Sequence, residues 1–312
     1  MRVLVLLVAL ALGCGRGAPA PGSAPVAQSH GPAAAARGPA SAAAPPPRVL
    51  GGARPATIVA PAGPARGVLL SLHGYGDDGP SFAAGLGLPA LAARAGFVLV
   101  TPDGTPDAGG DRFWNATEAC CDFGRVAVDD VAYLTALARE AAAAYGVPPG
   151  RVYALGLSNG GFMAHRLACD AADDFAAVVS IAGTTFADPA RCRPRSPVSL
   201  LQVSPDADRV VSYAGGADLL GRGGAPYPGA EATFERWARL DGCRGPRRAE
   251  PAPLDLDRAV PGPETRVALA AGCPDGVDVR LWTLHGSAHV PSFGPAFAER
   301  AWEWLAAHPK RR

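Results

Sequence analysis

The stretch RVYALGLSNGGFMAHRLAC, residues 151–169, decides the fold of this chain. Up to Leu157 it is a short continuous apolar run, the pattern of a buried strand, and from about Gly160 to Cys169 it has helical spacing. Ser158 stands at the junction, inside the G-x-S-x-G pattern made with Gly156 and Gly160. In a chain with 39 glycines in 312 residues that pattern arises by accident in about one case in five, so the motif alone is weak. The junction gives it weight. A strand that turns sharply into a helix has no room for neighbouring Cβ atoms and pushes the serine Oγ into the open, where it acts as a nucleophile. The competing reading is a serine that merely caps the following helix.

The flanks repeat the alternation. GVLLSLH (67–73), FVLVTPDG (97–104), FAAVVSIAG (175–183), VSLLQVS (198–204) and VDVRLWTL (277–284) read as buried strands. Between them lie helical patterns at 88–96, at 129–145 with Val131, Leu134, Ala138 and Ala142 on one face, at 231–240, and in a last helix carrying Phe297, Ala301, Trp304 and Leu305. Continuous rather than alternating apolar strands, separated by helices, predict an α/β fold with a mostly parallel central sheet and helices on both faces. Residues 221–228 and the proline-rich 245–263 read as surface loops. No internal repeat is present.

A serine nucleophile needs a base, held in turn by an acid, and in this fold the chain order is serine, acid, histidine. SPDADRVVSY (204–213) follows a strand and offers Asp206 and Asp208, of which Asp208 is preferred. HGSAHVPSF (285–293) follows the next strand; His289 is the base, while His285, beside the strand, reads as structural. The tetrahedral intermediate needs two backbone N–H donors, assigned to Asn159 and to Tyr75 of SLHGYGDDG (71–79). His73 reads as a residue that orients this loop. Tyr75 is also placed against the substrate, and Phe113 and Trp114 are candidates to stack on an aromatic acyl group or a sugar, with a place in the core as the alternative.

Lysines and arginines number 29 against 28 acids, a formal charge of +1, which argues against a nucleic-acid binder, since that needs a basic face. At the N-terminus, Arg2 precedes the apolar run VLVLLVALALG, too short for a mature membrane span and suited to a signal peptide. The run ends at ALGC and resembles a bacterial lipoprotein signal, which implies lipidation of Cys14; an ordinary cleaved signal is the competing reading. Residues 15–47, almost wholly Ala, Pro, Gly and Ser, read as a disordered tether, leaving 48–312 as the catalytic domain. The expected location is therefore extracytoplasmic, either secreted or anchored to the membrane through Cys14.

The remaining six cysteines, Cys120, Cys121, Cys169, Cys192, Cys243 and Cys273, read as three disulfides. Zinc competes poorly because no C-x-x-C pair occurs, and neither a metal nor a cofactor is called for. A ring closed between adjacent cysteines is strained, so Cys120 and Cys121 are expected to bond to Cys169 and Cys192, with Cys243 joined to Cys273.

LHGYGDDG, FWNATEACC, VDDVAYL, RVYALGLSNGGFMAHRLAC, DADRVVSYAGG and GSAHVPSF together resemble the polyhydroxybutyrate depolymerase and feruloyl esterase group of α/β hydrolases, also classed with carbohydrate esterase family 1. The likeness spans nearly all of residues 50–309. It implies an α/β hydrolase fold, a serine esterase and the triad Ser158, Asp208 and His289. It departs from the family where SPDADRVVSY stands in place of HGTADPVVPY, and where GSAHVPSF replaces GGGHTWPG. The expected substrate is an ester, feruloyl or acetyl on a polysaccharide, with a polyester as the alternative and a non-catalytic glycan-binding lipoprotein as a more distant one.

Overall fold

Residues 47–221 and 224–311 are described by the computed structural model. The expected signal, the Cys14 lipidation site and all but the last residue of the expected tether lie outside them. Fourteen strands are present among the described residues: β1 (Val49–Leu50), β2 (Ala56–Val59), β3 (Val68–Leu72), β4 (Val98–Thr101), β5 (Thr105–Pro106), β6 (Arg112–Phe113), β7 (Val152–Leu157), β8 (Ala177–Ile181), β9 (Ser199–Pro205), β10 (Gly215–Gly216), β11 (Tyr227–Pro228), β12 (Arg248–Ala249), β13 (Thr265–Leu269) and β14 (Val279–Leu284). The helices are α1 (Gly79–Gly85), α2 (Leu88–Ala95), α3 (Asp130–Ala144), α4 (Asn159–Asp170), α5 (Ala230–Leu240) and α6 (Pro295–Ala307).

Ten strands form one sheet in the order β1-β2-β4-β3-β7-β8-β9-β14-β13-β12. The six from β4 to β14 run parallel, and an antiparallel pair closes each edge. β3, β4, β8 and β9 are buried at every position, as parallel strands covered on both faces must be. Their side chains alternate between two core layers. Val68, Leu70 and Leu72 join Leu134 and Ala138 of α3, Phe162 of α4 and Trp237 of α5, whereas Leu69 joins Phe82 of α1, Leu91 of α2 and Phe297 of α6. The expected mostly parallel sheet between two helical layers is thus present.

The disulfide expectation is corrected. Cys120 bonds to Cys121 and Cys169 to Cys192, while Cys243 and Cys273 pair as expected. The Cys120–Cys121 peptide is cis and the two Cα atoms lie 3.1 Å apart, so the ring between adjacent cysteines that was expected not to close is present. Cys169, at the end of α4, then meets Cys192 across the crossover that follows β8.

Candidate active site

Ser158 occupies the sharp turn between β7 and α4 at φ 54°, ψ −120°, a backbone region that non-glycine residues rarely enter. The turn closes because its flanks lack side chains. A Cβ on Gly156 would lie 2.1 Å from the carbonyl oxygen of Gly160, and one on Gly160 would lie 2.0 Å from that of Leu72. The Ser158 N–H donates to Ile181 O of β8 at 2.8 Å, tying the turn to the sheet. Its hydroxyl does not cap α4, so the capping reading is set aside. Instead Ser158 Oγ lies 2.9 Å from His289 Nε2.

His289 and Asp208 arrive from neighbouring strands. β9 and β14 are parallel and in register to their ends, Pro205 opposite Leu284, so the loops beyond them start side by side. Asp206 N donates to Leu284 O at 3.0 Å and Ala207 N to Ser287 O at 3.2 Å, zipping the two loops together. Asp208 is 7% exposed. Its Oδ1 accepts from Val210 N and Val211 N at 2.7 and 2.9 Å, which leaves Oδ2 to accept from His289 Nδ1 at 2.7 Å. With Nδ1–H held by that carboxylate, Nε2 is left as the acceptor that faces Ser158. Asp206 takes a different partner: it accepts from His285 Nδ1 at 2.6 Å and from Gly286 N at 2.7 Å on the surface. The two aspartates therefore separate by partner, Asp208 to the histidine that reaches Ser158 and Asp206 to the loop beneath it.

The loop after β3 lies against the serine: a Cβ on Gly74 would come within 3.7 Å of Ser158 Cβ. His73 fixes this loop. Its Nε2 accepts from Gly104 N at 2.9 Å and its Nδ1–H donates to Gly74 O at 2.7 Å, and burial holds its pKa below the usual histidine value. A neutral His73 with both ring nitrogens engaged has the orienting role expected of it. Tyr75 follows; its hydroxyl donates to Asp107 Oδ2 at 2.5 Å and its ring meets Phe123 edge-on at 5.6 Å between centroids.

Trp114 is corrected from a substrate-stacking to a core residue. Its ring is fully buried, and its indole N–H donates to His73 O at 3.0 Å; Phe113 is fully buried as well. Asn159 has a side-chain role that the sequence reading missed. Its Oδ1 accepts from Trp114 N at 2.7 Å and its Nδ2 donates to Trp114 O at 2.9 Å and to Cys120 Sγ at 3.6 Å. The residue after the serine thus holds the segment that carries the vicinal disulfide. No sequence pattern announces this contact, since it joins residues 45 apart through the fold alone.

Two clefts are lined by the segments described above. One, of about 280 Å³, is walled by Phe82, Leu86, Leu157, Ile181, Val290 and Phe293, so it opens beside the residues that precede Ser158 and follow His289. The other, of about 660 Å³, is lined by the Cys120–Cys121 pair, Phe123, Arg125, Arg166 and Arg191 among others.

Comparison with known proteins adds the family. Residues 58–223 match the family model described as esterase PHB depolymerase. NocK of Nocardia uniformis subsp. tsuyamanensis, provisionally named an esterase, is 33% identical over 76% of this chain and 68% of its own length. Feruloyl esterase B of Piromyces equi is 28% identical over 73% of the chain, which spans only 40% of that enzyme. Among solved structures, the acetyl xylan esterase from Aspergillus awamori superposes with a TM-score of 0.56 at 15% identity, over 81% of this chain and 94% of that one. The carboxylesterase from Mesorhizobium loti superposes at 0.52, with 18% identity, over 84% and 99%. At these identities the structural likeness shows the fold, that of the α/β hydrolases.

Proposed function

Since the chain belongs to the esterase PHB depolymerase family, we propose that it is an exported serine esterase acting through an acyl-enzyme on feruloyl or acetyl esters of polysaccharide. The observation that carries the catalytic part is the hydrogen-bonded line from Asp208 Oδ2 through the imidazole of His289 to Ser158 Oγ. His289 Nε2 takes the hydroxyl proton as Ser158 Oγ bonds to the ester carbonyl carbon, and the carbonyl oxygen becomes an oxyanion held by the backbone N–H groups of Asn159 and Tyr75. Collapse of this intermediate breaks the carbon–oxygen bond to the alcohol, which leaves with the proton from Nε2. Water then repeats the sequence on the acyl-serine. Asp208, buried and already bonded to two backbone amides, fixes the imidazole and stabilises its charged form.

The feruloyl and acetyl assignment is supported by the names of the relatives and by the resemblance of the motifs. A polyester is the second reading, favoured by the family description that matches residues 58–223. Export is supported by three disulfides in a chain whose other feature is the signal-like N-terminus; anchoring through Cys14 rests on the sequence of residues 1–14, and the division into signal, tether and catalytic domain on that of residues 1–47. Ser158→Ala abolishes hydrolysis of p-nitrophenyl acetate and labelling by a fluorophosphonate while circular dichroism is unchanged; a variant that keeps its activity overturns the proposal. Rates on methyl ferulate, acetylated xylan and hydroxybutyrate oligomers, compared side by side, decide the substrate. Acetylated xylan or methyl ferulate is expected to lead.

A further inference from the structure

The smaller cleft beside the serine turn is lined by two charged groups, Asp77 and Arg258. Asp77, which follows the Gly74–Gly76 loop, accepts from its neighbour Asp78 N at 2.8 Å. Arg258 lines the cleft together with Val290, Pro291 and Ser292, the residues after His289. The rest of the lining is mainly apolar, and Val290 is 67% exposed.

Arg258 is held there by a braced platform. Glu264, 6% exposed, accepts from Leu256 N and Asp257 N at 3.2 Å and from Thr265 Oγ1 at 2.5 Å. Asp257, 1% exposed, in turn accepts from Ser292 N at 2.9 Å, while Arg258 N donates to Ser292 O at 3.0 Å. The buried Asp257 carboxylate thus fastens the Arg258 loop to the His289 loop, and the Glu264 carboxylate braces the Arg258 loop from within its own hairpin. The guanidinium donates through Nε to Ser292 O at 3.4 Å, and its two terminal nitrogens have no protein partner among the described residues. Arg94 and Arg139, exposed elsewhere on the surface, are both paired with carboxylates.

We propose that Arg258 binds a carboxylate on the alcohol portion of the ester, so that the enzyme prefers substrates whose leaving alcohol is itself an acid. The inference rests on the esterase reading, since it takes the side from the mechanism: the alcohol leaves with a proton from His289 Nε2 and so departs along the wall that Val290 to Ser292 and Arg258 form. Charge selects the partner too, because a carboxylate is attracted by Arg258 and repelled by Asp77. A guanidinium presents two parallel N–H donors to a carboxylate. The cleft volume of about 280 Å³ is near the lower end of small-ligand sites, about 300–1,000 Å³, which suits a single unit. An aliphatic hydroxy acid and a uronic acid both offer this chemistry.

The test uses acetyl esters of each, O-acetyl-3-hydroxybutyrate and an acetylated methyl glucuronoside, each beside its carboxamide counterpart, with acetate release as the readout. The full chain is expected to show an acid-to-amide ratio of kcat/KM of about 5 or more in at least one arm, above the effect of an ordinary exposed ion pair, and the arm that responds identifies the source. The ratio falls toward 1 in Arg258→Gln, is partly kept in Arg258→Lys, and shrinks in 0.5 M salt as screening predicts. Because each ratio is internal to one variant, a general loss of activity does not imitate the result. A ratio of 1 or less in both arms, or a ratio that survives in Arg258→Gln, overturns the inference and leaves the esterase reading standing. Failure to hydrolyse any ester, p-nitrophenyl acetate included, overturns that reading instead.

Discussion

Asp206 and Asp208 are two residues apart and chemically identical, yet their hydrogen bonds assign them different work. Asp208 spends one oxygen on two backbone amides and the other on His289, so its loss leaves the imidazole without a fixed tautomer. Asp208→Asn is expected to lower kcat by about 10³–10⁴-fold with KM little changed, the effect known for the acid of such triads. Asp206→Asn, which touches only the exposed His285 and Gly286 N, should stay within about threefold. Steady-state kinetics on p-nitrophenyl acetate check both, and the reverse order would move the acid role to Asp206. At this scale the sequence was informative where chemistry is ordered along the chain: a serine between glycines, then an acid, then a histidine, each after an apolar run. It was silent where a side chain works across the fold. Asn159 clamping Trp114 and Arg258 facing the cleft come from residues whose neighbours in sequence carry no pattern, and the burial of Trp114 was undetermined because an aromatic ring serves a core and a substrate equally well.

The elements divide in the same way. The six central strands were legible because burial on both faces demands unbroken apolar runs. The edge strands β1, β2, β12 and β13 were not, being short or alternating, as β13 with its burial of every position but Arg266 and Leu269 and β12 with both residues exposed show. Helix α1 also went unread, since its seven residues begin and end in glycine, although Asp78 caps it by accepting from Ser81 N. One junction between elements has a pH dependence. Asp241 ends α5 and accepts from Val198 N, just before β9, at 3.0 Å. Burial raises its pKa to about 7, opposed by that amide and by Lys310. A carboxyl that holds its proton in the folded state while the unfolded chain has lost it makes stability fall as pH rises, here from about 4 to 7. Between pH 5 and 7 the loss is on the order of 2 kcal/mol. Asp241→Asn removes this slope: urea unfolding at pH 5 and at pH 7 should show the variant gaining on the parent chain by about that amount at the higher pH. Equal differences at both pH values would show that Asp241 is ionised throughout.

For the whole molecule the question is what the two longer disulfides contribute to a domain whose sheet already buries most of its strands. Cys169–Cys192 closes 23 residues, from the end of α4 past β8, and Cys243–Cys273 closes 30, from the end of α5 to the turn before β14. Neither bond touches Ser158, Asp208 or His289, so both act through the chain and not through the chemistry. Limiting the unfolded chain by loops of these lengths is worth about 3–4 kcal/mol each in the loop-entropy model, and a kilocalorie shifts the melting temperature of a domain of this size by about 2–4 °C. Cys243→Ser combined with Cys273→Ser should therefore lower Tm by about 6–15 °C while kcat on p-nitrophenyl acetate at 25 °C stays within about twofold. The vicinal pair differs on both counts. It closes no loop, so Cys120→Ser with Cys121→Ser should leave Tm within about 3 °C; but Cys120 Sγ receives the Asn159 Nδ2 donor, and Asn159 follows the nucleophile, so kcat is the quantity that should move. Calorimetry and steady-state kinetics on the two double variants separate the roles, and a large fall in Tm from the vicinal pair, with kcat preserved, would reverse them.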